Sequence, residues 1–178
     1  LLKSDGAFEW GSREALILLN NALLIAAAGL ILIGTLYPLF LDTLDLGKIS
    51  VGPPYFSTVF VVPALPLVLL LAIGMHAAWK RTRFAGVQGT LGVMFAVALL
   101  AALAITVWGY GAFRAGTVVG LVAGLWVMLS ALLDPILRWR KGVRPGQAML
   151  GMAIAHFGVG MFTIGVTTVE SYKVEKDM

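Results

Sequence analysis

The chain contains no cysteine in its 178 residues. Disulfides, thiolate metal sites and cysteine nucleophiles are therefore excluded within it. Charge is scarce too: Lys, Arg, Asp and Glu make up 12% of the residues, roughly half the share of a soluble domain. Two histidines without cysteine are too few for a closed zinc site inside the chain. The sequence holds no Walker loop, no HExxH, no GxGxxG opening a helix after a strand, and no Ser/His/Asp set.

Apolar residues are abundant, at 60% of the chain with a mean hydropathy of +0.94, the composition of an integral membrane protein. The net charge of +4 is no nucleic-acid signature, because the basic residues sit in short clusters between apolar runs. The first residue is Leu1, with neither a basic n-region nor a cleavage site behind it, so a segment of a longer protein is expected.

Five runs have the length and apolarity of spanning helices, at 13–41, 59–79, 87–109, 115–136 and 147–169. The expected fold is an all-α polytopic bundle, with residues 1–178 forming one membrane segment. Ser12 is a candidate N-cap. Asn20 or Asn21 is expected to bond across to another helix. Tyr37-Pro38 is expected to mark the far interface, followed by a loop over 42–58. In that loop Leu41, Leu44 and Leu46 against Asp42 and Asp45 suggest a short surface-lying piece, Gly52-Pro53-Pro54 excludes helix interior, and Tyr55-Phe56 fit an aromatic belt. His76, one turn before Trp79 and beside Lys80, Arg81 and Arg83, reads as interfacial. A tight turn with Tyr110, Gly111 and Arg114 should join the third and fourth spans. Asp134-Pro135 should end the fourth, with Asp134 an interfacial partner for nearby arginines. Gly151, Gly158 and Gly165 recur every seven residues, an apparent face for close packing.

An odd number of spans puts the termini on opposite sides. Nine basic residues (Lys3, Arg13, Lys80, Arg81, Arg83, Arg138, Arg140, Lys141, Arg144) fall on the N-terminal side and four (Lys48, Arg114, Lys173, Lys176) on the other. The positive-inside rule then gives N-in, C-out, with 42–58 on the outer side.

The chemistry-bearing residue is His156, near the middle of the last run. An ionisable side chain at that depth faces a cavity, a partner or a cofactor rather than lipid, and neutral imidazole is a common ligand of heme iron. Helical spacing puts Met152, Ala153, Val159 and Gly160 beside it, with Gly160 a bare backbone where a flat group could lie. A helix-packing histidine bonded to a neighbouring carbonyl satisfies the same sequence.

Several stretches, in this order and spacing, resemble the CcmF family of cytochrome c maturation heme lyases: Ser12-Arg13-Glu14, Leu18-Leu19-Asn20-Asn21, Gly34-Thr35-Leu36-Tyr37-Pro38, Gly47-Lys48-Ile49-Ser50-Val51-Gly52-Pro53-Pro54-Tyr55-Phe56, Ala155-His156-Phe157-Gly158, and Tyr172-Lys173-Val174-Glu175-Lys176-Asp177. The ten residues from Gly47 to Phe56 are the most specific. The resemblance covers nearly the whole chain and corresponds to the family's C-terminal membrane portion. It implies a multi-pass protein of the bacterial inner membrane with its heme site facing the periplasm. Such a protein takes heme from the chaperone CcmE and, with CcmH-type and CcmI-type subunits, attaches it to apocytochrome c. It also implies a tryptophan-rich WWD segment flanked by two axial histidines, and a structural heme b on two further histidines. His156 matches the axial histidine of the transferred heme b that follows the WWD segment. The other ligands and the WWD segment would belong to the rest of the CcmF chain. No nucleic acid is implied, and membrane lipid is the surrounding solvent. The alternative is a transporter or scaffold segment whose histidine serves packing or proton movement.

Overall fold

The computed structural model describes residues 11–77, 88–109 and 113–172, with the side chains of Pro53 and Tyr172 excepted. They form five helices: α1 Arg13–Thr43, α2 Pro53–Gly74, α3 Gln88–Ala104, α4 Ala115–Arg140 and α5 Gln147–Tyr172. α3 continues as a π-helical segment, Ile105–Gly109. Each is long and apolar enough to cross a membrane, α3 together with its extension. The all-α, five-span reading therefore holds.

The helix ends follow from local chemistry. Ser12 is the N-cap of α1, its hydroxyl accepting from Ala15 N–H at 3.3 Å. α1 runs past Tyr37-Pro38 and stops in a Schellman turn. There Leu46 N–H donates to Leu41 C=O (3.0 Å) and Asp45 N–H to Asp42 C=O (3.3 Å), with Asp45 in the left-handed region at φ 55°. Leu41 and Asp42 are thus helix rather than a separate surface piece. α2 starts at Pro53 instead of Val59, because two prolines fit the first turn, where the N–H groups have no intrahelical partner. α4 passes through Asp134-Pro135 to Arg140. The buried ring of Pro135 costs one backbone bond, and tertiary packing tolerates it. The stop lies at Gly142, φ 72°, where Gly142 N–H reaches Trp139 C=O (2.9 Å) and Val143 N–H reaches Arg138 C=O (3.0 Å).

α4 is the central helix, packing on α5, α3 and α2, whereas α1 packs chiefly on α2. Its core with α3 is Ala102, Val118, Leu121 and Val122, flanked by Leu103, Leu125 and Ile164. Trp126 Nε1 donates to Leu91 C=O at 3.1 Å while its ring meets Phe95 edge-on at 5.2 Å. The α4–α5 seam is set by Gly120, Gly124 and Gly160: a Cβ at Gly160 would lie 2.7 Å from the Gly124 carbonyl oxygen. The expected stripe of Gly151, Gly158 and Gly165 meets nothing within 4 Å, so it points away from this seam. At the far end of α5, an Arg114 guanidinium N–H donates to the Ser171 carbonyl, a cation meeting the C-terminal carbonyls. The α1–α2 contact rests on Gly34, against which the Tyr55 and Phe56 rings pack, and on Tyr55 O–H donating to Leu30 C=O at 3.3 Å. Tyr55-Phe56 therefore dock a helix start on α1.

Candidate functional site: the cleft at His156

Successive helices alternate in direction, so the start of α1, the end of α2, the end of α4 and the start of α5 share one end of the bundle. A cleft of about 220 Å³ lies there, lined by Arg13, Leu16, Ile17 and Asn20 of α1, Leu70, Leu71 and Gly74 of α2, Met75 just beyond it, and Met152 and His156 of α5. Its position follows from packing. α5 lies along α4 and only touches α2, while α1 and α5 make little or no direct contact, so a gap stays open between them.

His156 Nδ1 lies 2.8 Å from the Met152 carbonyl, one turn back on its own helix. Because a carbonyl can only accept, Nδ1 is the donor, and in the neutral ring that leaves the lone pair on Nε2. That is the tautomer a metal-ligating histidine uses, with the distal nitrogen held by a backbone oxygen. The half-buried ring sits among the two methionines and four aliphatic side chains of the cleft. At 1.5 Å per residue, His156 lies roughly 14 Å from the start of α5 and roughly 24 Å from its end. The cleft thus reaches it from the end where α1 begins. The Gly47–Phe56 loop lies at the opposite end, together with Arg114 and Ser171.

The volume bears on what could bind. A pocket that encloses a ligand of drug size holds roughly 300–1,000 Å³, more than this cleft offers. An imidazole with a free ring nitrogen beside an apolar surface is a set that could form one wall of a heme site, the opposite wall coming from elsewhere. Among the described residues no group of three or more His, Cys, Asp or Glu could hold a metal ion.

Other expectations fare differently. Gly160 is closed off by Gly124 and Met128 of α4 and Ala153 is buried, so that side of α5 is unavailable to a flat ligand. Asn20 faces the cleft, and among the described residues neither it nor Asn21 has a hydrogen bond to another helix. His76 stands just past the end of α2, its side chain 4% exposed, with Nδ1 3.6 Å from Asp134 Oδ2 and Nε2 without a partner among the described residues. Asp134 lies against His76 because α2 packs on α4 at this level, and among the described residues it forms no ion pair with an arginine. Trp79, Lys80, Arg81, Arg83, Tyr110 and Gly111 lie outside the described residues. Sequence reasoning missed Arg13, Asn20 and Met75 as companions of His156. The spacing of 13, 16, 17 and 20 marks one face of α1, but nothing in it says that this face turns to α5.

No protein-family model matches the chain. It is 36% identical to the cytochrome c-type biogenesis protein CcmF of Pseudomonas aeruginosa over 100% of its own length and 28% of that protein. It is 35% identical to CcmF of Escherichia coli over 94% of the chain and 26% of the relative. With CycK of Rhizobium meliloti, another cytochrome c-type biogenesis protein, identity is 38% over 98% and 27%. A solved structure titled cytochrome c heme lyase CcmF superposes with a TM-score of 0.70 at 22% identity, over 93% of this chain and 26% of that one, a likeness of fold. The chain spans a little over a quarter of the length of these relatives, and across that span it belongs to the CcmF/CycK family of cytochrome c-type biogenesis proteins.

Proposed function

We propose that this chain is a membrane portion of a cytochrome c heme lyase, and that His156 is an axial ligand of heme iron. The observation that carries the assignment is the His156 ring itself. Among the described residues it bonds only to its own helix, through Nδ1, which leaves Nε2 of the neutral ring open as an acceptor in a largely apolar cleft. A packing histidine would bond to a neighbouring helix, and among the described residues none offers such a bond. In the whole protein, heme would arrive from CcmE, apocytochrome c would receive it, and CcmH-type and CcmI-type subunits would assist. The bundle would lie N-in, C-out in the bacterial inner membrane, as the nine-to-four distribution of basic residues supports. Heme supplies the iron and the vinyl groups. This chain's residues supply the imidazole lone pair, the tautomer fixed by Met152, and an apolar wall from Leu16, Ile17, Leu70 and Leu71 that excludes water.

Two hemes could use this ligand. The family resemblance implies the transferred heme at the periplasmic face. In the proposed orientation, however, the cleft lies in the cytoplasmic half of the bundle, a depth that favours a structural heme b held within the membrane. The full-length protein purified from cells with and without the heme chaperone separates them. A resident heme ligated by His156 persists without the chaperone and is lost in His156→Gly. A transferred heme is absent without the chaperone even when His156 is intact. Heme content unchanged by His156→Gly in both backgrounds would dismiss the ligand assignment altogether.

A further inference from the structure

α4 is the central helix, yet among the described residues its last turns stand uncovered on one side. Trp126 Nε1 reaches the Leu91 carbonyl, and α3 begins only three residues before Leu91. The two helices run antiparallel, so α4 passes the start of α3 about one turn beyond Trp126. Past that point Leu132, Ile136 and Trp139, spaced i, i+4 and i+7 on one face, are 37%, 47% and 72% exposed. This apolar strip ends in charge. Arg138, Arg140, Lys141 and Arg144 stand within seven residues, all of them exposed. Val143 N–H folds back on the Arg138 carbonyl at 3.0 Å, which keeps Arg144 beside the last turn. Among the described residues none of the four forms an ion pair. Asp134, the nearest acid before them, lies against His76, and the next acid in the chain is Glu170.

The helix dipole and the positive-inside bias account for cations at this end. The continuity of strip and cations adds a shape, apolar along the helix and cationic at its tip, with an indole at the boundary where such rings settle. We propose that the end of α4 binds an anionic phospholipid. An acyl chain lies along Leu132 and Ile136, Trp139 stands at the level of the glycerol, and the phosphate is held by Arg140 and Arg144. Guanidinium groups suit that phosphate because they donate paired, charge-assisted hydrogen bonds. A soluble anion would leave the strip unused. No α4 residue lines the His156 cleft, so the lipid site is separate from the heme ligand and stands independently of it. In the proposed orientation it faces the cytoplasmic leaflet, whose anionic lipids attract cations beside the membrane.

The test uses the full-length protein in a neutral detergent, titrated with dioleoyl phosphatidylglycerol or dioleoyl phosphatidylcholine and read by native mass spectrometry. The unaltered protein should bind the anionic lipid more tightly. Arg140→Gln/Arg144→Gln should weaken that binding about fivefold per cation, hence roughly 25-fold for the pair, and leave phosphatidylcholine unchanged. Unfolding temperature in lipid-free detergent should be the same for both proteins, so that a lost lipid is not a lost fold. Lys80→Gln/Arg81→Gln removes the same charge from the connection between α2 and α3, at the same end of the bundle, and should change little. Phosphatidylglycerol binding unaltered in Arg140→Gln/Arg144→Gln overturns the proposal. An equal fall in both double variants would mean a diffuse cationic surface and overturns the site as well. Displacement of the lipid by an equal concentration of free glycerol phosphate would give the cations to a soluble anion and refute the acyl-chain strip.

Discussion

Gly160→Ala should be among the most damaging single-methyl additions in the chain, while the same change two residues earlier should be harmless. The Cβ of an alanine at 160 would lie 2.7 Å from the Gly124 carbonyl oxygen and would also run into the Met128 side chain, where ordinary contact begins near 3.4 Å. The methionine can change rotamer, but the carbonyl belongs to the backbone of a packed helix and cannot. α4 and α5 would have to part by about half an ångström or more, and a gap of that size forfeits a quarter to a half of each contact along the seam. Overpacking of this kind costs about 1–3 kcal/mol. Gly124→Ala should do much the same, since its Cβ would lie 2.8 Å from the Gly160 carbonyl oxygen. At Gly158 and Gly165 an added Cβ meets nothing within 4 Å, so alanine there should be neutral or stabilising by up to about 1 kcal/mol through helix propensity. Unfolding of the detergent-solubilised full-length protein, followed by gel shift or fluorescence against temperature, ranks the four variants. Because α5 carries His156 and is held mainly by α4, heme retention should fall with stability in the first pair alone. Equal effects of Gly158→Ala and Gly160→Ala would refute the seam.

Three further expectations can be checked with standard assays. Ser12→Ala removes the oxygen that caps α1 and should cost about 1 kcal/mol in the same unfolding measurement, with Ser12→Asn close to the unaltered protein. Tyr55→Phe keeps the ring on Gly34 but loses the hydrogen bond to the Leu30 carbonyl. It should cost about 0.5–1.5 kcal/mol, and Gly34→Ala should cost more because the ring itself is displaced. Reporter fusions after Gly142 should read cytoplasmic and those after Lys48 periplasmic. The reverse pattern would place the cleft in the periplasmic half and return His156 to the transferred heme.

What was legible in the sequence was what uninterrupted runs and local chemistry dictate. Five apolar stretches of spanning length gave five helices, because a backbone in lipid must satisfy its own hydrogen bonds. Ser12 was legible as a cap for the same local reason. The errors came where two local signals competed. Pro135 disfavours helix at Asp134, yet the surrounding core carries α4 on to Gly142, whose left-handed conformation is the stronger stop. Pro53 and Pro54 look like loop until they are placed in a first turn, where they have no bond to lose. Interhelical facts were not legible at all. Spacing finds Gly151, Gly158 and Gly165 on one face, but only the packing shows that Gly160 is the one pressed against α4. It finds His156 at mid-helix as well. That its cleft is completed by Arg13 and Asn20, and that His76 turns to Asp134, depends on how helices far apart in the chain are rotated.

The heme-ligand assignment of His156 is tested most directly by the absorption spectrum of the purified full-length protein carrying His156→Gly, with and without added imidazole. Glycine leaves space for the missing ring, so free imidazole can supply the lost nitrogen. The account predicts low heme content and an altered Soret band without imidazole, both restored by it. His156→Phe, which has bulk but no lone pair, should remain heme-poor in either case. Normal heme content and an unaltered spectrum in the glycine variant without imidazole would contradict the assignment.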